Sequence, residues 1–252
     1  MQPTDKSMIL HSPRWYSRRP GVIATGFHSY LHLVIRHDNY IEKLKRMGFL
    51  DPALIRRDIS DETPSEECEK YYALLAKHVI HTFLRRVLKP QPWVKEIVDD
   101  IIRPIQDKFL LGLHIRFGSS GGTFRDSHVF LEPTEWKKFA IASEMILKEK
   151  KLTFNQTKWI LSTDSDNAEG EFRKLYKELI ITNKTYKRGH SKTGAKNPEG
   201  FTRAVIDISL LARCQFLITT SYSTFSEIAE MMSANMSEVK RMKSHGFWYL
   251  VY

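Results

Sequence analysis

At 252 residues, with 42% hydrophobic and 27% charged residues, the chain has the composition of a globular protein with room for a full core. No run approaches the roughly 18 apolar residues of a membrane span. The opening Met1-Gln-Pro-Thr-Asp-Lys lacks the charged-then-apolar order of a signal peptide, so any membrane tie is expected through a segment outside this chain. The net charge of +10 points to an anionic partner. The basic residues are nevertheless dispersed: Arg56-Arg57, Arg85-Arg86 and Lys148 to Lys151 are the densest clusters, and nucleic acid is not the expected partner.

Residues 1–25, rich in Pro, Arg and Ser, read as an irregular lead-in. From Phe27 the apolar residues Tyr30, Leu31, Val34, Ile41, Leu44 and Met47 recur at helical steps, and Gly48 stops that helix. Residues 51–67 are polar and acidic, a linker or exposed loop. Glu66 to Leu88 carries a second helical stripe through Tyr72, Leu75, Val79, Ile80, Phe83 and Val87. Pro90 and Pro92 end it, and Pro92 opens a third helix, Trp93 to Ile105.

The texture then changes. Strand patterns at Phe109 to Arg116, Lys158 to Asp164, Leu179 to Thr182 and Gln215 to Thr220 alternate with helical ones at Thr134 to Lys150, Ala168 to Glu178, Ala204 to Ala212 and Thr224 to Met232. Such alternation predicts βαβ units and a parallel sheet. The expected fold class is α/β, a Rossmann-like parallel sheet over residues 108–252 preceded by a mainly helical segment over 1–107.

In an open parallel sheet the ligand lies at the carboxyl ends of the strands. Three such ends are rich in polar residues: His114 and Arg116 running into Gly118-Ser-Ser-Gly-Gly-Thr, Ser162-Thr-Asp164-Ser-Asp166, and Thr219-Thr-Ser-Tyr-Ser-Thr224. The last suits either an anion site at a helix N-terminus or simple helix capping. Arg116 is placed to clamp a phosphate with two parallel hydrogen bonds, or to make a structural salt bridge. His114 alternates onto the same side of its strand, where a satisfied core histidine is the plainer role. No Walker lysine or G-x-G-x-x-G is present.

Two further residue types bear on compartment. Cys68 and Cys214 could pair, but Cys214 lies in an apolar run where a buried free thiol is the commoner state. Three of the six asparagines, Asn155, Asn183 and Asn235, stand in N-x-S/T sequons, which leans toward a secretory compartment.

Three spaced segments together resemble one family. Leu111-Gly-Leu-His-Ile-Arg-Phe-Gly is similar to the G-V-H-x-R-x-G element of the α1,2-, α1,6- and protein O-fucosyltransferase superfamily. Trp159-Ile-Leu-Ser-Thr-Asp is similar to its strand ending in ATD. Val205 to Ser226 resembles its D-x-x-x-L-x-x-C…S-(S/T)-F element. The resemblance implies a GT-B fold with GDP-fucose held in the C-terminal Rossmann domain. It also implies an inverting transfer of fucose to a glycan or glycoprotein hydroxyl, no metal or other cofactor, and a Golgi or ER lumenal setting. By the same resemblance Arg116 binds the β-phosphate, His114 lies beside the nucleotide and Asp207 contacts guanine. Ser223, Thr224 and Phe225 hold phosphate and base, and Asp164 borders the ribose or supports the pocket.

Two departures from the family pattern shape the expectation. Where several members carry an acidic residue after H-x-R-x-G this chain has Ser119, so the base for the acceptor hydroxyl is sought at Asp126, His128 or Glu132. Residues 1–107 contain no G-G-x-G-N loop, so the acceptor side is expected to be truncated, diverged or supplied elsewhere. The alternative function is a non-catalytic relative that binds a GDP-sugar or glycan.

Overall fold

The computed structural model describes residues 45–48, 78–79, 82–83, 85–86, 88–123, 128–189, 198–221, 223–233, 238–242 and 248–251. The chain divides into two compact units, Met1–Val87 and Leu88–Tyr252. In the first, Lys45 and Arg46 are helical and the turn closes at Gly48. Gly48 adopts φ +66 and its N–H reaches the Lys45 carbonyl at 2.8 Å, the left-handed stop that glycine makes cheaply. The expected linker at 51–67, Cys68 and most of both early helices lie outside the described residues.

The second unit is a three-layer α/β fold. Helix α1 (Pro92–Ile102), with proline in its first turn, leads into strand β1 (Phe109–Ile115). Helix α2 (Trp136–Glu149), strand β2 (Thr157–Thr163), helix α3 (Asp166–Tyr176) and the two-residue strand β3 (Ile180–Ile181) follow. Helix α4 (Pro198–Leu211), strand β4 (Phe216–Thr220) and helix α5 (Thr224–Met232) come next. Strands β5 (Glu238–Met242) and β6 (Trp248–Val251) complete a six-stranded sheet of order β3-β2-β1-β4-β5-β6. All neighbours are parallel except β5 and β6. The Rossmann-like parallel sheet expected from the alternating pattern is thus present. The last two strands extend it beyond the helix read as final in the sequence.

Strand alternation divides the core. Leu111, Leu113 and Ile115 of β1, Trp159 and Leu161 of β2, and Phe216 and Ile218 of β4 face one layer with Phe139 and Ile146 of α2 and Phe172 of α3. Leu110, Ile160 and Leu217 face the other, against Val94 and Val98 of α1, Ile206 and Leu210 of α4, and Ala229 of α5. Cys214 is a free thiol buried in this second layer, as its apolar context suggests. Gln215 fixes where β4 begins: its N–H donates to the Leu110 carbonyl at 3.0 Å while its side-chain oxygen accepts from the Leu110 N–H at 2.7 Å.

Gly112 leaves room on β1 for the end of α4 and for Leu217 of β4. A methyl group there would overlap the Leu217 side chain and press on Cys214 Sγ at 3.0 Å and Leu211 Cδ2 at 3.1 Å. Overpacking a closed core costs about 1–3 kcal/mol. Gly112→Ala should therefore lower the urea midpoint of unfolding, followed by circular dichroism, without changing its slope. A variant as stable as the parent would show that this approach constrains nothing.

Candidate functional site

Counting outward from β1, the chain passes through β2 and β3 on one side and β4 on the other. The sheet order reverses between β1 and β4, and in open α/β sheets the ligand crevice lies at such a point, outside the carboxyl ends of the strands. The site residues enter it in register: His114 pairs with Thr219 on β4 and with Ser162 on β2.

His114 points to the layer of α4 and α5, where its ring stacks on Phe225 with centroids 4.8 Å apart and planes 14° from parallel. Burial, reinforced by the Arg116 charge, holds its pKa down at about 3. The imidazole is therefore neutral throughout the physiological range. Its Nδ1 is buried without a hydrogen-bond partner among the described residues, as are Thr219 Oγ1 and Ser223 Oγ. Ser223 stands at the N-cap of α5 but makes no side-chain capping bond. Of the two readings of the hydroxyl-rich turn, capping is not what this side chain does. Buried polar groups are ordinarily paired, so these three, at the ends of β1 and β4 and at the start of α5, stand out. Thr224 and Phe225 form the first turn of α5, whose leading N–H groups have no intrahelical acceptor and carry the positive end of the dipole.

Arg116 follows β1 directly. Its backbone N–H donates to Thr220 Oγ1 at 3.0 Å, and that hydroxyl donates to the His114 carbonyl at 3.3 Å. The guanidinium lies over the Phe130 ring, 4.8 Å from its centroid. The exposed His128 ring meets the same Phe130 edge-on at 6.4 Å, so Phe130 connects two of the residues singled out in the sequence. The segment after β1 is closed by a bridge between Gly118 and Val129. The Ser119 N–H donates to the His128 carbonyl at 2.9 Å, and the Phe130 N–H to the Phe117 carbonyl at 3.0 Å. Asp126 lies outside the described residues. Glu132 is exposed, and its backbone N–H donates to Glu135 Oε2 at 2.8 Å.

Asp164, just past β2, supports this turn. Its two carboxylate oxygens accept the Phe117 and Gly118 N–H groups, each at 2.9 Å, and its carbonyl accepts the Thr123 N–H at 2.6 Å. Gly118 adopts φ +72 and Gly122 approaches so closely that a Cβ would come within 2.8 Å of Asp164 Oδ2. Of the two roles open to Asp164, border of a ribose or support of the pocket, these contacts are those of a support.

Asp207 on α4 is buried, and Ser162 Oγ donates to its Oδ2 at 3.1 Å. Burial pushes its pKa up to about 6 against the opposing pull of Arg203, Ser162 and Arg188. Arg203 Nε lies 3.6 Å from the same Oδ2, an ion-pair distance. Thr219, Ser162, Arg188 and Arg203 were not singled out as site residues in the sequence. The i, i+4 spacing of Arg203 and Asp207 on one helix is the signal that could have found Arg203. Arg188 carried none, since its partners come from a different element. Among the described residues no three His, Cys, Asp or Glu side chains cluster as metal ligands would, and no helix is long and apolar enough to cross a membrane.

Residues 63–243, a span that includes every site residue above, match the family model of nodulation protein Z, NodZ. The chain belongs to the NodZ family. This agrees with the superfamily resemblance carried by the three segments. Among solved structures, NodZ from Bradyrhizobium aligns over 98% of this chain and 75% of its own, at 18% identity and a TM-score of 0.42. NodZ α-1,6-fucosyltransferase co-crystallised with GDP aligns over 85% and 65%, at 17% identity and a TM-score of 0.42. POFUT1 in complex with GDP aligns over 67% and 52%, at 12% identity and a TM-score of 0.38. The chain thus spans as little as half to two thirds of the length of some NodZ and POFUT1 structures it resembles. No curated protein sequence matches it.

The Asp164 contacts generate a test. Asp164→Asn keeps one acceptor oxygen but turns an amide N–H toward a backbone N–H, leaving a donor unsatisfied at a cost of about 1–3 kcal/mol. The expected result is a lower melting temperature, with faster hydrogen exchange at the Phe117 and Gly118 amides. Unchanged protection at both would show that Asp164 does not hold the turn.

Proposed function

We propose that this chain binds GDP-fucose in the crevice between β1 and β4 and transfers the fucosyl group, with inversion, to a hydroxyl of a glycan or glycoprotein. One observation carries the reading: the buried atoms His114 Nδ1, Thr219 Oγ1 and Ser223 Oγ, at the ends of β1 and β4 and at the N-cap of α5, have no hydrogen-bond partner among the described residues. A polar ligand with a strongly anionic group satisfies that set. Family membership supports a guanosine diphosphate sugar as that ligand, the class found with NodZ in its GDP and GDP-fucose crystals.

The residues then divide the work. Arg116 and the first turn of α5 face the diphosphate, where negative charge grows as the bond from sugar C1 to phosphate oxygen breaks. A fixed cation and fixed N–H dipoles stabilise that charge without reorganising. No metal is assigned to the site, since a guanidinium already faces the leaving group. His114, held neutral, and Phe225 supply one polar and one flat surface for the nucleotide. The acceptor oxygen attacks C1 from the opposite face, and its proton passes to a base, for which Asp126 is the choice and His128 or Glu132 the alternatives. Residues 108–252 act as the donor-binding domain, and residues 1–107 as the reduced acceptor-side segment.

A lumenal secretory setting is part of the same proposal. Its sequon support rests on Asn155, which is exposed, and on Asn235, which lies outside the described residues. Asn183 is buried, and its side-chain oxygen accepts the Thr185 N–H at 2.9 Å in a local turn.

Calorimetric titration without added metal tests the donor site. GDP should bind in the micromolar range, UDP and ADP at least tenfold more weakly, and EDTA should change nothing. Arg116→Ala should weaken GDP binding and lower kcat/KM by roughly a hundredfold, the size of a charge-assisted contact removed. Unaltered affinity and turnover in that variant would remove Arg116 from the mechanism. Asp126→Asn should leave GDP binding intact while lowering transfer, and full activity would move the base to His128 or Glu132. GDP binding with no turnover toward any acceptor would favour the non-catalytic reading.

A further inference from the structure

Next to the crevice lies a cluster of buried charges that none of the site chemistry above uses. Arg188, on the segment after β3, pairs through Nη1 with Asp166 and through Nη2 with Glu169, both on α3. Arg203, on α4, reaches the same Glu169 Oε2 from Nη2 at 3.9 Å and donates from Nη1 to the Tyr186 carbonyl at 3.1 Å. Its Nε faces Asp207 Oδ2 at 3.6 Å. Glu169 is also held by Arg173 Nε at 2.8 Å and by the Thr182 hydroxyl at 3.1 Å. Arg188 and Arg203 are about nine-tenths buried, with side-chain exposures of 10% and 11%.

The contacts on Asp207 are one-sided. Arg203 and Ser162, from two different elements, both engage Oδ2, and Oδ1 accepts no hydrogen bond among the described residues. A carboxylate gripped by one oxygen has its plane and its ionisation fixed while the other oxygen stays open to an incoming donor. Asp207 sits at the level of the ligand crevice, because its partner Ser162 is in register with His114. We infer that Arg203 is a positioning residue, which presents Asp207 Oδ1 as an ionised acceptor and so sets the choice of nucleotide base.

This rests on the reading of the crevice as a GDP-sugar site with the base at Asp207. A guanine presents N1–H and an exocyclic amine on its Watson–Crick edge, and both donate. An adenine presents a lone pair at N1, which a fixed carboxylate oxygen repels. A site built around a polar partner rejects the analogue that lacks the matching group far more strongly than an apolar pocket does. Neither Arg203 nor Ser162 need touch the base for this selection to operate. Their effect passes through the orientation and charge of one carboxylate.

Ionisation gives a readout that a purely structural strap would not move. The groups around Asp207 are Arg203 on its own helix, Arg188 after β3 and Ser162 on β2, with neutral His114 next to Ser162 in register on β1. An ionised carboxylate is the binding form, so GDP affinity should fall as the pH drops through about 6. Arg203 pulls that midpoint down. Removing it should therefore shift the midpoint to higher pH. Titration of the nucleotide's own phosphate is common to both proteins and cancels in the comparison.

The experiment titrates the full chain with GDP and ADP between pH 5.5 and 8.5, for the parent and for Arg203→Gln, Arg203→Lys and Ser162→Ala. At pH 7, Arg203→Gln should lose roughly ten- to a hundredfold in GDP affinity, the scale of a bond to a charged group. ADP affinity should change less than threefold, so that the GDP-to-ADP ratio collapses, and the pH midpoint for GDP should rise. Arg203→Lys, which keeps a cation one turn before Asp207, should recover most of the ratio. Ser162→Ala should shift ratio and midpoint in the same direction by a smaller amount. If Arg203→Gln fails to fold, the lysine and alanine variants still decide the matter. Equal losses for GDP and ADP with no midpoint shift would overturn the positioning role. A parent chain that binds GDP no better than ADP would instead overturn the donor-site reading, and the inference with it.

Discussion

The pairing of β1 with β4 is the constraint on which the rest of the unit depends. Both strands are interior to the sheet and covered on both faces, so their apolar side chains and backbone groups are fully satisfied along their length. At their carboxyl ends apolar residues give way to buried polar ones, His114 on β1 and Thr219 and Thr220 on β4. Three buried atoms at or just beyond these ends, His114 Nδ1, Thr219 Oγ1 and Ser223 Oγ, have no hydrogen-bond partner among the described residues. An unsatisfied buried donor or acceptor costs about 1–3 kcal/mol, so three together forfeit a sizeable part of the 5–15 kcal/mol that holds a typical domain. A sequence selected for stability alone would fill those positions with valine or leucine. A polar ligand bound there would offset that cost.

Keeping such a crevice open requires a rigid rim, and the contacts supply one. Asp164 binds two consecutive backbone N–H groups after β1, while the Thr220 hydroxyl links the Arg116 N–H to the His114 carbonyl. These bonds fix the backbone on both sides of Arg116. The Arg116 guanidinium then rests on Phe130 and does not collapse onto the sheet. A cation held this way is oriented before its anion arrives, and its ordering entropy is not charged against binding.

Much of this was legible in the sequence, and the limits have physical causes. The eight strands and helices from Phe109 to Met232 follow from periodicity, because continuous apolar runs and 3.6-residue stripes are what a doubly covered sheet demands. Strands β5 and β6 were missed. Glu238-Val-Lys-Arg-Met carries too many charges to read as strand, and its place beside β4 is set by sheet closure. His114, Asp207 and Ser223 were named as candidates from strand ends and family segments. Arg188 escaped, because its partners on α3 lie about twenty residues away and only the fold brings them together. Asp164 was read as a border of the ribose or a support of the pocket, and only the fold shows the supporting contacts, since sequence locates a carboxylate without saying which N–H groups it will meet.

The charges finally sort into two poles. At one, Arg116 and the positive end of the α5 dipole stand together, with Glu227 in the same first turn. At the other, two nearly buried arginines are held by Glu169, Asp166 and Asp207, and one oxygen of Asp207 accepts no hydrogen bond among the described residues. A nucleotide has the same polarity: an anionic diphosphate at one end and, when the base is guanine, a row of N–H donors at the other. The positive pole by itself would accept any diphosphate. Discrimination among bases must come from the second pole, where a cation is spent on orienting an anion. That assignment explains why a strongly basic chain invests two nearly buried arginines in contacts that face away from the phosphate site.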